Sequence, residues 1–245
     1  MYTYYLLDHE YTEDEENLTG SMGHLLAFNP GSEDVDLKVT LFFEDREPVA
    51  FTLVAPAGWR LNSTYVQWPL EPDVRFAMMV ESEQPLVCQS TVGWNNTKNN
   101  YRPGAESKIE PEVRECAKSY MAIDQLARDW YVADGVVIDN PEGIWVRESE
   151  WAVVLNPGDR PAEVAMGLHY GDEVGEHRVE VPARRMKCLY MDDIAQRNRG
   201  YGIHFSSDQP VAVQWLRAVY WATRPVLMAF WSVPGVPGPL GQAGS

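Results

Sequence analysis

The feature that most constrains what this chain can fold into is that its pattern is written twice. Asn29-Pro30-Gly31 returns as Asn156-Pro157-Gly158, an offset of 127 residues. Val54-Ala55-Pro56-Ala57 returns as Glu180-Val181-Pro182-Ala183 at offset 126, and Ser82-Glu83-Gln84-Pro85-Leu86-Val87-Cys88-Gln89 as Ser207-Asp208-Gln209-Pro210-Val211-Ala212-Val213-Gln214 at offset 125. Tyr4-Tyr5-Leu6-Leu7-Asp8 resembles Trp130-Tyr131-Val132-Ala133-Asp134 at offset 126. Markers that keep their order while the offset drifts by a residue describe two copies of one domain.

Both copies carry strand periodicity. Apolar residues alternate in Leu37–Phe43 and, at the matching place, in Val164–Tyr170; Phe76, Met78 and Val80 alternate, as do Tyr201, Ile203 and Phe205. A period of two gives a sheet with one face on a core. Turn signals separate the runs (Asn-Pro-Gly, Glu44–Pro48, Gly171-Asp172-Glu173) and no long helical pattern intervenes. The expected fold class is all-β: two tandem antiparallel β-sandwiches of jelly-roll type. The first copy is expected over 1–118 with a loop-rich connector at 98–118, the second over 119–235, and a frayed tail over 236–245. Two readings of 111–129 remain open: a helix from Pro111 with Val113, Cys116, Ala117 and Tyr120 on one stripe, or a last strand of copy one from Ser119 to Ile123, matching Val226–Ser232.

Composition narrows the function classes. The 245 residues are 45% apolar and 23% charged, with a formal net charge of −16. That balance is globular, and its sign disfavours nucleic acid and anionic membrane surfaces. The charge is uneven: residues 1–125 hold 9 Lys+Arg against 21 Asp+Glu, the remainder 11 against 15. No run of about 18 apolar residues is present to span a membrane. The opening Met1–Asp8 lacks a basic segment, so no signal peptide is expected. Three cysteines (Cys88, Cys116, Cys188) without CxxC spacing fit reduced thiols and a cytoplasmic location, which leaves the Asn-x-Ser/Thr matches at Asn17, Asn62 and Asn95 without weight.

Copy two resembles the sensory rhodopsin transducer family. The resemblance rests on Trp130-Tyr131-Val132-Ala133-Asp134-Gly135, Asn156-Pro157-Gly158-Asp159, Val181-Pro182-Ala183-Arg184-Arg185-Met186-Lys187 and Gln209–Gln214, and covers residues 120–233. It implies a small all-β sandwich that assembles as an oligomer. It also implies either a soluble partner of a photoreceptor or a small-molecule, sugar-type binding domain without catalytic machinery. Copy one departs from the pattern: Ala57-Gly58-Trp59-Arg60 stands for Ala183-Arg184-Arg185, and Val92 for Arg217. Its ligand capacity is therefore expected to be lost or altered.

The candidate ligand residues are Arg184, Arg185, Gln214 and Arg217, with Trp145 and Trp221. Planar guanidinium forks grip carboxylates, phosphates or diols, and indole faces stack on sugars or interfaces. Alternation lets only one of Arg184 and Arg185 point inward; the competing role for each is a surface ion pair with Asp192 or Asp193. Trp151 and Trp215, in apolar runs, are expected in the core. His169 and His177 flank a hairpin and, with Asp172 or Glu173, could approach metal-ligand geometry, although exposed hairpin histidines are the commoner outcome; His204 should face away from Ile203 and Phe205. No nucleophile elbow, phosphate loop or zinc-protease motif is present, so no metal or cofactor is expected.

The reading that follows is a non-enzymatic cytoplasmic binding protein for a small polar ligand such as a sugar or organic acid. It would be homo-oligomeric, two chains forming a pseudo-tetramer. The alternatives are a signalling or structural scaffold for a partner protein and a carbohydrate-active enzyme with paired carboxylates.

Overall fold

The computed structural model describes residues 1–14, 19–96, 116–138, 146–221 and 227–238. Copy one comprises β1 (Tyr2–Asp14), β2 (Thr19–Phe28), β3 (Val35–Phe42), β4 (Val49–Ala55), β5 (Arg60–Thr64), β6 (Val74–Ser82), β7 (Val87–Asn96) and β8 (Cys116–Met121). Copy two comprises β9 (Ala127–Val136), β10 (Val146–Asn156), β11 (Ala162–His169), β12 (Val174–Val181), β13 (Arg185–Tyr190), β14 (Gly200–Trp221), β15 (Leu227–Pro234) and β16 (Val236–Pro237).

Each copy is two antiparallel sheets face to face. In copy one, sheet A holds β4, β3, β6 and β1, while sheet B holds β5, β2, β7 and β8, with the end of β1 added beside β2. In copy two, sheet C holds β12, β11, β9 and the first half of β14; sheet D holds β13, β10, β15 and its second half. Copy one breaks this path into β6 and β7, whereas β14 runs unbroken for 22 residues through both sheets. The ladders superimpose in register. Leu25 pairs with Ser90 as Ala152 pairs with Trp215, and Leu6 pairs with Met78 as Val132 pairs with Ile203. Two tandem all-β domains related by duplication are therefore present.

The repeated markers are turn-makers. Asn29, 1% exposed, donates from Nδ2 to the Glu33 and Ala55 carbonyls (2.8 and 3.0 Å) and accepts from the Gly31 amide (2.9 Å). Asn156, fully buried, does the same for Arg160, Val181 and Gly158 (2.8, 3.0 and 3.1 Å). An asparagine that locks its own turn and satisfies two buried carbonyls is costly to replace. Ser82 and Ser207 likewise accept the amides of Gln84 and Gln209 (3.2 and 3.3 Å).

Three expectations need adjustment. Of the two readings of 111–129, the last strand of copy one is the one found, over Cys116–Met121 and not Ser119–Ile123, because this backbone completes the open edge of sheet B on β7. Pro111 and Val113 of the alternative helix lie outside the described residues. Pairing places β8 in copy one, so the seam falls after Met121 and not after 118. Val236–Pro237 is not frayed but pairs with Tyr131 and Trp130, while the Gly235 and Gly238 amides bond to Val213 and Asp129 (3.0 and 2.7 Å).

Sheet A is buried on both faces along β1 and at the Phe42 end of β3, while Asp36, Lys38, Thr52 and Val54 leave the rest of its outer face exposed. Leu6, Phe43, Phe76 and Met78 fill the core of copy one, while Tyr5, Leu7, Phe42 and Ala77 belong to the cluster centred on copy two. At about 25 cal/mol per Å² of apolar area removed from water, such a seam is a substantial cohesive term. Its copy-two side is the outer face of sheet D: Trp151, Val153, Cys188, Met186, Gln214 and Leu216.

Candidate functional site

The residues singled out from the sequence divide between three places. Arg217 lies inside copy two. Opposite it on β10 is Glu150, 0% exposed, which accepts from Arg217 Nε at 2.8 Å, from the Val136 amide at 2.8 Å and from the Tyr201 hydroxyl at 2.5 Å. Glu148 (3.3 Å) and Asp134 (3.3 Å, with its carbonyl at 2.9 Å) complete the surround, and the Trp215 ring lies 4.9 Å from the guanidinium carbon. Burial pushes the Glu150 carboxyl up, against the hydrogen bonds from Tyr201, Val136 and Arg217. Burial is also the largest influence on Arg217 and lowers it, but its carboxylate partners together hold the guanidinium above its usual value. A guanidinium so enclosed has its donors committed to protein.

Gln214 lies on the seam. It is three residues from Arg217 on the same strand and so on the opposite face. Its carbonyl accepts the Leu7 amide (3.0 Å) and its amide reaches Ser232. Leu7 occupies a bulge between Leu6 and His9, which leaves that amide outside the β1–β6 ladder. Arg185 begins β13 and forms an ion pair with Glu47 of copy one, not with Asp192 or Asp193. Asp192 instead accepts from Ser149 Oγ and the Glu150 amide (2.9 and 3.1 Å). Arg184 is exposed in a turn at φ 57°. Arg185 pairs with Asn156 and Arg217 with Glu150; six residues of strand separate them by about 20 Å. The three arginines do not meet. Trp145, and the side chain of Trp221, lie outside the described residues.

The seam carries further polar groups that sequence reasoning passed over. Asp8 and Lys118, side chains 3% and 1% exposed, form a buried ion pair, with Trp151 Nε1 donating to Asp8 at 3.4 Å. Arg75 reaches the Cys188 sulfur and the Tyr190 hydroxyl (3.0 and 3.1 Å) and lies against the Trp151 ring. The Cys188 and Met186 amides bond to Glu44 Oε1 (2.5 Å) and the Phe43 carbonyl (3.2 Å). The duplication is the signal that could have found this set. On the outer face of sheet A, Leu7 and Phe42 of copy one correspond to Ala133 and His169 in copy two, so the larger apolar groups stand on copy one's face alone.

The outer face of sheet C is open and polar. His204, directed away from Ile203 and Phe205 as expected, stacks on Tyr131 (4.6 Å between ring centres, 4° between planes) and meets Asp129 at 2.8 Å. His169 flanks it. Gly202 faces His169 across the ladder, Gly167 faces His204, and a shallow pit of about 230 Å³ opens there. His177 pairs with buried Met166 and His169 with Val174, so the two hairpin histidines take opposite faces of the sheet. Among the described residues no group of three or more His, Cys, Asp or Glu side chains is placed to hold a metal ion.

In copy one the position of the Arg217 cluster is neutral. His9, 0% exposed, bonds through Nδ1 to the Tyr65 hydroxyl (2.5 Å) and through Nε2 to that of Tyr120 (3.2 Å), and Tyr120 donates to the Asp8 carbonyl (2.9 Å). Burial lowers the His9 pKa to about 3, so the imidazole is uncharged.

No curated protein matches the chain. Among solved structures, that of Thermotoga maritima 1070 is 22% identical over 46% of this chain and 95% of its own, with a TM-score of 0.40. The Anabaena sensory rhodopsin transducer is 26% identical over 36% of this chain and 85% of its own, with a TM-score of 0.33. The family described as Anabaena sensory rhodopsin transducer matches residues 7–101 and again 126–231. The chain belongs to the sensory rhodopsin transducer family, as two tandem copies of its domain.

Proposed function

We propose that this chain is a non-enzymatic binding protein of the transducer type, working in the cytoplasm as a homo-oligomer and recognising proteins through its outer sheet faces. The observation that carries this reading is where the expected ligand groups are spent. Arg185 and Gln214 tie copy two to copy one, and Arg217 is enclosed by Glu150, Glu148 and Asp134. Those arginines offer little to a sugar or organic acid, whereas stiff sheets present wide, preformed surfaces at low ordering cost. The net charge of −16, concentrated in the first half, favours a partner with a basic surface, such as the solvent-facing loops of a membrane receptor. Among the described residues no helix is long and apolar enough to cross a membrane.

A thermal-shift panel of sugars and organic acids tests the reading. The expected result is no saturable rise in Tm. A rise that is lost in Arg217→Met would overturn it in favour of a ligand pocket in copy two.

A further inference from the structure

At one end of copy one, two of the repeated turns enclose a cleft. The turn into β3, Asn29–Asp36, forms one wall and Glu83-Gln84-Pro85, between β6 and β7, forms the other, around a volume of about 550 Å³. That size falls in the range of about 300–1,000 Å³ typical of ligand clefts. Glu33, Asp34, Asp36 and Glu83 line it and are exposed, Asp34 also accepting the Ala57 amide (2.8 Å). Among the described residues no cation of the chain pairs with any of the four.

Copy two shows what the equivalent space holds. The bond from Asn29 Nδ2 to the Glu33 carbonyl recurs as that from Asn156 Nδ2 to the Arg160 carbonyl, so Glu33 and Arg160 occupy one backbone position. Gln84 and Gln209 correspond through the serine turns that hold them. In copy two Arg160 Nη2 crosses between the turns to Gln209 Oε1 (2.9 Å), and Asp208 Oδ1 accepts the Glu163 amide (2.8 Å). The Glu163 amide first, then Gln209, Arg128 and Arg160, hold the Asp208 carboxyl below its usual value. Copy one keeps both turns but replaces the bridging cation by an acid. Glu33, Asp34, Asp36 and Glu83 stand where copy two has Arg160, Pro161, Glu163 and Asp208, formal charges of −4 against −1.

We infer that this cleft receives an arginine side chain of a partner protein, whose guanidinium takes between the turns of copy one the place that Arg160 takes within copy two. Carboxylates stand on both walls, and the planar fork of a guanidinium can bridge several such acceptors where a compact ammonium cannot. Trp59, 66% exposed, adjoins the cleft, its carbonyl accepting the Asn29 amide (3.1 Å). An indole face is a favourable neighbour for a guanidinium. The inference rests on the basic-partner reading above and names the side chain recognised. The cleft itself lies at the end of the sandwich, off the outer sheet faces of that reading.

Fluorescence anisotropy of a labelled hexa-arginine peptide with the full chain, at about 0.15 M ionic strength, tests this. Saturable binding is expected. Glu33→Arg, which writes the residue of copy two into copy one, should weaken it about tenfold or more with Tm unchanged. Glu71→Arg makes the same change of charge beyond the far end of the nine-residue β6, about 30 Å away. With a Debye length of about 8 Å it should leave the affinity unchanged. Hexa-lysine of equal charge, and arginine amide alone, should each bind about tenfold or more weaker than hexa-arginine. Absent binding, equal losses in the two variants, or equal affinity for hexa-lysine overturns the inference. Arginine amide binding as tightly as the peptide overturns the protein source in favour of a free guanidinium compound. Should Glu33→Arg lower Tm, Asp36→Asn combined with Glu83→Gln must show the same loss of affinity. Each of these failures leaves the sheet faces standing, whereas a sugar-dependent rise in Tm lost in Arg217→Met overturns the function proposed above.

Discussion

The two copies keep one backbone but fill its centre in opposite ways. At equivalent positions copy one has Gly23, Val92, His9 and Phe76 where copy two has Glu150, Arg217, Gly135 and Tyr201. A Cβ on Gly23 would lie 1.9 Å from the Tyr65 ring, and one on Gly135 would lie 2.3 Å from the Tyr201 ring. Each copy places a glycine where the other places a bulky polar residue, and a tyrosine occupies the space released. Copy one thereby packs a neutral hydrogen-bonded ring cluster and copy two an ion-paired one. A sandwich interior tolerates either, provided volume and hydrogen bonding are balanced together.

The largest way to break this comparison is to strand the charge. Arg217→Met leaves Glu150 buried without its cation and should cost about 3–5 kcal/mol, measured by urea denaturation. Adding Glu150→Gln should recover part of that loss, because the amide carbonyl still accepts from Val136 while its NH2 can donate to the Tyr201 oxygen, all without a charge. If the double variant is no more stable than the single one, the cluster is held by shape and not by charge balance.

The same contrast predicts opposite responses to pH. His9 binds its proton in the unfolded chain near 6.5 and in the fold only near 3. Its contribution is therefore present above 6.5 and falls by about 1.4 kcal/mol per pH unit on acidification toward 3. Glu150 is shifted upward by burial, so its contribution is present below 4.5 and is lost as pH rises through its folded value. Native-state hydrogen exchange at pH 7 and pH 5 should show β1 and β7 loosening on acidification more than β10 and β14. His9→Phe should flatten the response of copy one. Equal slopes in both copies would contradict the two charge states.

Much of the fold was legible because the repeated markers are local. An Asx turn at Asn29 or Asn156, or a serine turn at Ser82 or Ser207, is encoded within five residues, and alternation shows which strand face is buried. What decides the candidate site is not local. Glu150 meets Arg217 67 residues away, and Arg185 meets Glu47 138 residues away in the other copy. Those pairings depend on the ladder register and on the seam. The bulge at Leu7–Asp8 fixes which amide is left for Gln214; it shifts the phase of alternation, but Tyr5–His9 are buried on both faces, so no apolar–polar alternation is there to show the shift. The short Val236–Pro237 pairing with β9 was hidden by a segment whose Pro and Gly content argued against any strand.

The smallest effect sharpens the comparison at the turn before β13. Arg184 adopts φ 57° and its counterpart Gly58 adopts φ 61°, the left-handed region that glycine enters freely and a Cβ-bearing residue does not. No heavy atom lies within 4 Å of a Cβ built on Gly58, so crowding does not enter the exchange there. Arg184→Gly should therefore raise stability by about 0.5–1 kcal/mol, the relief of the left-handed penalty less the entropy that glycine loses on folding. Gly58→Arg should lower it by a similar amount, each visible as a Tm change of about 2–4 °C per kcal/mol. Arg184 is exposed and Arg185, not Arg184, reaches Glu47, so the substitution leaves the seam intact. A loss of stability in Arg184→Gly would mean that the Arg184 side chain contributes more than its backbone costs, and would return it to the set of residues with a binding role.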